Sequence, residues 1–138
     1  MKNIKPQNIA ILFLVMAALF IIVVGSIFKK ALIKNHKESV AKITEGSYGG
    51  RGHSGTISLI FKFNVEGREI EGNAAFNSSE LYYSDVEKFI VGKTFPVVYN
   101  PNSPHSNHLL IRKKDFEQFN VPFPDSMKWV LQYFKKED

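Results

Sequence analysis

Thr56-Ile57-Ser58-Leu59-Ile60-Phe61-Lys62-Phe63-Asn64-Val65, then Glu66-Gly67, then Arg68-Glu69-Ile70-Glu71-Gly72-Asn73-Ala74-Ala75-Phe76, is the stretch that decides the fold. Ile57, Leu59, Phe61, Phe63 and Val65 recur with a period of two, which places them on one face of a strand. Glu66-Gly67 supplies a two-residue turn. Such a turn sets Val65 opposite Arg68, and this fixes the register: Phe63 faces Ile70, Phe61 faces Gly72, Leu59 faces Ala74 and Ile57 faces Phe76. Beyond the turn pair, every member of that face is apolar or glycine. Gly72 leaves the Phe61 ring free to lie over bare backbone, as aromatic residues do opposite strand glycines. Pattern and turn agree on an antiparallel hairpin.

Upstream, Val40 to Thr44 reads as a first strand. Gly46 to Gly55 holds five glycines in ten residues and reads as a flexible loop. Downstream, Ser84-Asp85-Val86-Glu87 has the pattern of a capping box before a short helix ended by Gly92. Phe95, Val97 and Tyr99 alternate again. Pro96 between them lacks a backbone donor, so an edge position or a late start is expected for this strand. Asn100 to Pro104 reads as a tight turn and His108 to Arg112 as a further strand. Asp125-Ser126 reads as the cap of a final helix, where Met127, Val130, Leu131 and Phe134 fall on one apolar face.

From Ile9 to Phe28 the chain has 20 consecutive residues without a charge. At 1.5 Å per residue such a helix spans about 30 Å, the hydrocarbon thickness of a bilayer. Lys29 and Lys30 end the run. A cleaved signal peptide would have an apolar region of about 7–15 residues followed by small residues at the cleavage site. This run is longer, and Gly25-Ser26 leads at once into Ile27-Phe28-Lys29-Lys30, which favours an uncleaved anchor. The expected organisation is a short lead over 1–8, a transmembrane helix over 9–28, a juxtamembrane stalk over 29–38 and a small β domain over 39–138 with a C-terminal amphipathic helix. The fold class is α+β: a membrane helix, then an antiparallel β domain, barrel-like or sandwich-like, with one or two short helices.

The chain has 138 residues, no cysteine and a net charge of +5. The residues after the hydrophobic segment suffice for one compact domain. Without cysteine, a disulfide framework, thiolate chemistry and lipid acylation at cysteine are all excluded. Much of the basic excess lies beside the hydrophobic run (Lys29, Lys30, Lys34, Lys37), where it attracts anionic headgroups, and no recognised nucleic-acid motif accompanies it. Counting lysines near the two ends of the run favours a cytoplasmic β domain by a narrow margin.

Chemical motifs fail on context. Gly50-x-Gly52-x-x-Gly55 has dinucleotide-binding spacing but precedes a strand, whereas that motif must open a helix. Gly52-His53-Ser54-Gly55 lacks the glycine two after the serine that a nucleophile elbow needs, since Thr56 stands there. His105 and His108 have no acidic residue between Lys88 and Asp115 to complete a metal site. No catalytic residue, cofactor or metal is expected. Trp129, Tyr133 and Phe134, beside Lys128, Lys135 and Lys136, are candidates for contact with the membrane interface or a partner; the simpler reading has the apolar face of this helix cover the domain's core.

Gly92-Lys93-Thr94-Phe95-Pro96-Val97-Val98-Tyr99-Asn100-Pro101, with Phe61-Lys62-Phe63-Asn64-Val65 and Glu66-Gly67 before it, resembles a widespread, mostly bacterial domain-of-unknown-function family of small membrane proteins. The likeness covers roughly residues 40 to 111 and is most specific at Tyr99, Asn100 and Pro101. It implies a compact β domain and a membrane setting, and it carries no activity and no catalytic residues. Many members have a second hydrophobic helix after the domain, where this chain has its aromatic tail. The expected role is a tethered binding or accessory module with the bilayer and a protein as partners. An immunity-type protein that blocks a toxin at the membrane is the alternative.

Overall fold

The computed structural model describes residues 6–51 and 54–135. Helix α1 (Pro6–Lys34) leads into five strands: β1 (Lys37–Arg51), β2 (Ser54–Val65), β3 (Arg68–Asn77), β4 (Thr94–Asn100) and β5 (Ser103–Leu109). All neighbours are antiparallel, in the order β3-β2-β1-β4-β5. β3 and β5, the two edges, approach each other, so the sheet is a nearly closed barrel. One hydrophobic core fills it.

The β2–β3 hairpin has the register expected from its pattern, from Val65 opposite Arg68 to Ile57 opposite Phe76. Ile57, Leu59, Phe61, Phe63 and Val65 are all buried.

β1 is far longer than Val40 to Thr44, and the glycine-rich stretch expected as a loop is mostly strand. Gly46 to Arg51 pairs residue by residue with β2, from Leu59 back to Ser54. Two features hid it. The register shifts between Ile43 and Glu45, a bulge that breaks the period of two. The Thr44 hydroxyl donates to the Ile60 carbonyl there, at 3.2 Å. The glycines also make room for neighbours, since a Cβ at Gly46 would lie 2.6 Å from Val86 Cγ1 and one at Gly55 would run into the Tyr48 ring.

β4 lies between β1 and β5, so Pro96 is not at an edge. The strand tolerates it because of where the missing donor falls. The Pro96 carbonyl accepts from the Leu110 N–H at 2.9 Å. A strand residue's nitrogen points to the same side as its carbonyl, so the vacant position faces Leu110, just past the end of β5, and the ladder to β1 on the other side is untouched.

Between β3 and β4, helix α2 runs from Tyr83 to Asp85 and widens into a π-turn over Val86–Ile90. The Ser84 capping box does not form. Tyr82 is the N-cap, without a side-chain bond, and the Glu87 carboxylate accepts from the Tyr83 hydroxyl instead, at 2.8 Å. Gly92, at φ +84, ends the segment as expected.

Helix α3 (Lys113–Gln118) follows β5. The amphipathic tail is a 3-10 helix, Asp125–Tyr133, capped by Pro124 rather than by Asp125 or Ser126. Met127, Val130 and Phe134 are buried in the barrel's own core. At the other end, α1 continues without a break through residues 29–34, and Leu32 is buried. Residues 9–34 of α1 are long and apolar enough to cross a membrane, and the rest of the protein covers none of their apolar window.

Candidate functional site

Among the described residues, several cavities and grooves are lined by polar groups. The first lies at β5 and α3. Asp115 is buried and faces Arg112 and His108. Its carboxylate accepts from the Arg112 backbone N–H at 2.9 Å, from Arg112 Nε at 3.0 Å and Nη2 at 2.8 Å, and from His108 Nε2 at 3.3 Å. Burial alone would raise the Asp115 pKa. The bonds from His108 and Arg112, with the guanidinium's charge, outweigh that and hold the carboxyl well below the usual range. A histidine–aspartate pair suggests general-base chemistry. Here the carboxylate closes the capping box of α3 with Arg112. The cavity beside it is about 120 Å3, and no hydroxyl or thiol side chain lines it. The group is built to hold α3 against the barrel.

The second is a groove of about 470 Å3 near Tyr48, Tyr82 and Tyr83. Its lysine is engaged: Lys135 donates to the Ser78 carbonyl at 3.1 Å and lies 3.5 Å from the Tyr82 ring centre.

The third, of similar size, is lined by Lys88, Phe89, Lys93, Thr94, Trp129 and Tyr133. The π-turn after α2 supplies Lys88 and Phe89, the start of β4 supplies Thr94, and the 3-10 helix supplies Trp129 and Tyr133. Phe89 and Tyr133 stack at 4.9 Å with planes 18° apart. Trp129 meets Tyr133 edge-on at 6.2 Å and Phe95 at 6.0 Å. The Lys88 ammonium lies 5.0 Å from the centre of the Phe89 ring. Among the described residues, neither Lys88 nor Lys93 pairs with a carboxylate. Apolar area with unneutralised positive charge is the chemistry of a site for an acidic, partly apolar ligand.

The three tail aromatics therefore separate. Trp129, 37% exposed, and Tyr133 line the groove, while Phe134 is 6% exposed and packs on Phe76 at 5.6 Å. Lys88, Phe89, Lys93 and Thr94 carry no signal in the sequence because they come from a different segment, and only the packing of the tail on the π-turn brings them to Trp129.

Tyr99, Asn100 and Pro101 form a strand end and a turn. Tyr99 is buried against Phe63 at 5.6 Å, and the Asn100 side-chain carbonyl accepts from the Asn102 N–H at 2.9 Å. Gly50 and Gly55 of the dinucleotide-like spacing face each other across the β1–β2 hairpin. Gly52 and His53 lie outside the described residues, as do residues 1–5 of the expected lead. His105 and His108 do not share a site with a third ligand: among the described residues, no three His, Cys, Asp or Glu side chains converge as a metal centre would need.

No curated protein and no solved structure matches the chain. A family described as "Domain of unknown function (DUF3592)" matches residues 38–112, from the start of the barrel to Arg112, with α1 and the aromatic tail outside it. That segment is more than half of the chain and takes in all five strands of the barrel, β1 from its second residue, so the chain belongs to the DUF3592 family.

Proposed function

We propose that this protein is a single-pass membrane protein whose barrel is a tethered binding module, and that the Lys88–Trp129 groove takes a segment of a partner protein with acidic and aromatic side chains. The observation that carries the reading is the groove itself: three stacked or edge-on aromatic rings beside two lysines without carboxylate partners. Interface centres are enriched in such aromatic side chains. Position favours a protein over lipid here. Thr94 pairs with Lys42, about 17 Å along β1 from its start at roughly 3.3 Å per residue, so the groove stands away from the end of α1.

Two features support an anchor over a cleaved leader. α1 is helical without interruption through Gly25 and Ser26, and Ser26 donates back to the Ile22 carbonyl at 2.9 Å within the helix. Its C-terminal turn also contributes Leu32 to the barrel core. The module has no reaction of its own in this reading, because the buried Asp115 carboxylate, partner of the half-exposed His108, is committed to capping α3 with Arg112.

A photo-crosslinking amino acid at Thr94 in the full-length, membrane-resident protein tests this. It should trap a protein adduct, and Trp129→Ala with Tyr133→Ala should reduce the yield about tenfold or more, as loss of a central aromatic cluster does. An adduct yield indifferent to both substitutions, or adducts with lipid alone, would overturn the groove assignment.

A further inference from the structure

A separate pocket of about 320 Å3 lies where α1 meets the barrel, lined by Phe28, Lys29 and Leu32 of α1, by β5 at His105 to His108, and by Gln118 and Phe119. Asn107 and His108 are engaged elsewhere, but other polar groups in its lining are unspent. Among the described residues, the side chains of Lys29, His105 and Ser106 make no hydrogen bond or ion pair. Gln118 is more telling. Its Nε2 is buried and has no acceptor, although buried donors are almost always paired. An amide, a hydroxyl, an imidazole and an ammonium around one pocket form a set of donors with no carboxylate among its lining residues, and that is the chemistry of an anion site.

Depth identifies the anion. The uncharged run ends at Phe28, so a helix that fills the hydrocarbon layer places Lys29 to Leu32 among the headgroups. We infer that this pocket holds the phosphate of an anionic phospholipid headgroup, with Lys29 and the Gln118 amide as its principal donors and Phe28, on the membrane side of Lys29, against the glycerol and upper acyl region. A bilayer lipid reaches this depth by lateral diffusion, whereas a free phosphate ion would have to enter the headgroup layer. The inference rests on α1 spanning the membrane.

The test uses full-length protein in detergent, with bound lipid read by native mass spectrometry after titration with phosphatidylglycerol or phosphatidylcholine. Phosphatidylglycerol should bind in preference. Lys29→Ala should weaken it about fivefold, the worth of one lysine near an anionic headgroup, and Gln118→Met should weaken it as well. Lys30→Ala removes the same charge at the same depth but from another face of the helix, about 100° around, and should change binding by less than about twofold. Equal effects at positions 29 and 30 would mean diffuse attraction and overturn the site, as would equal binding of the two lipids. Full displacement by inorganic phosphate would overturn the lipid assignment in favour of the free ion. Should Gln118→Met not fold, the Lys29 and Lys30 pair on the exposed helix still decides. Carbonate extraction of the same membranes reads the anchor separately: release of the chain refutes the spanning helix, whereas retention without lipid preference refutes only the headgroup site.

Discussion

The ring of Phe61 lies across Gly72 on the neighbouring strand, at a spot where a Cβ would collide both with that ring and with Asn107 of β5. The contact joins three strands, because β3 and β5 face each other there across the opening of the barrel.

Phe61→Ala should therefore destabilise the protein by about 3–5 kcal/mol, as large-to-small core changes do. Lys62, on the other face of β2, pairs with the exposed Glu69 at 2.9 Å, and Lys62→Ala should leave the denaturation midpoint nearly unchanged. Comparable losses in chemical denaturation would refute the arrangement.

Phe134 and Trp129 should behave differently although they sit on one tail. Phe134 is buried against Phe76 and bridges to Leu81, so Phe134→Ala should cost about 3–5 kcal/mol. Trp129→Ala should shift the melting midpoint much less while removing the groove's central ring. A tail that can be truncated after Pro124 with no change in stability would disprove its place in the core.

Asp115 makes acid stability a test of the α3 cap. Its folded pKa lies below the unfolded value, so its contribution is fully present above about pH 4 and is lost as pH falls through the depressed folded value. Asp115→Ala should cost about 1.5–3 kcal/mol at neutral pH, since it removes charge-assisted bonds to Arg112 while leaving that guanidinium its ion pair with Glu80 at 3.4 Å. The gap between wild type and variant should narrow below about pH 4. A gap that stays constant from about pH 7 to about pH 3 would show that the carboxylate's charge is not what holds the cap.

Lysine placement beside α1 leads us to expect the barrel in the cytoplasm. A fluorescent protein fused after Asp138 should then fluoresce in a bacterial host, and alkaline phosphatase fused at the same point should be inactive. The reverse pair of results would put the barrel outside.

The hairpin was legible because local period and turn chemistry determine its register without help from the rest of the chain. Where tertiary context decides, the sequence misleads. The bulge at Thr44 offsets the inward residues of β1 by one, so a long central strand reads as a short strand and a loop. Pro96 reads as an edge signal, yet the vacant donor position falls beyond the end of β5. Of the candidate contact residues, Trp129 and Tyr133 line a groove and Phe134 does not. The partners that make the groove, Lys88 and Phe89, are some forty residues earlier in the chain, and nothing local links the two segments. Asp115 carries no signal either, because its capping box begins at Arg112 rather than at serine or threonine.

Leu32 seated in the barrel has a mechanical consequence. Two residues, Asn35 and His36, join α1 to β1, and His36 bonds back to the Ile33 carbonyl at 3.2 Å while its ring meets Phe119 at 5.4 Å. The joint has little slack, so helix and barrel lean together as a stiff lever. With α1 as the anchor proposed above, a bilayer thinner than the apolar run would tilt the helix to hide its surplus length, and the same tilt would swing the far end of the barrel sideways. Membrane thickness would thereby set how far from the bilayer normal the Trp129 groove is carried, and which neighbours come within its reach.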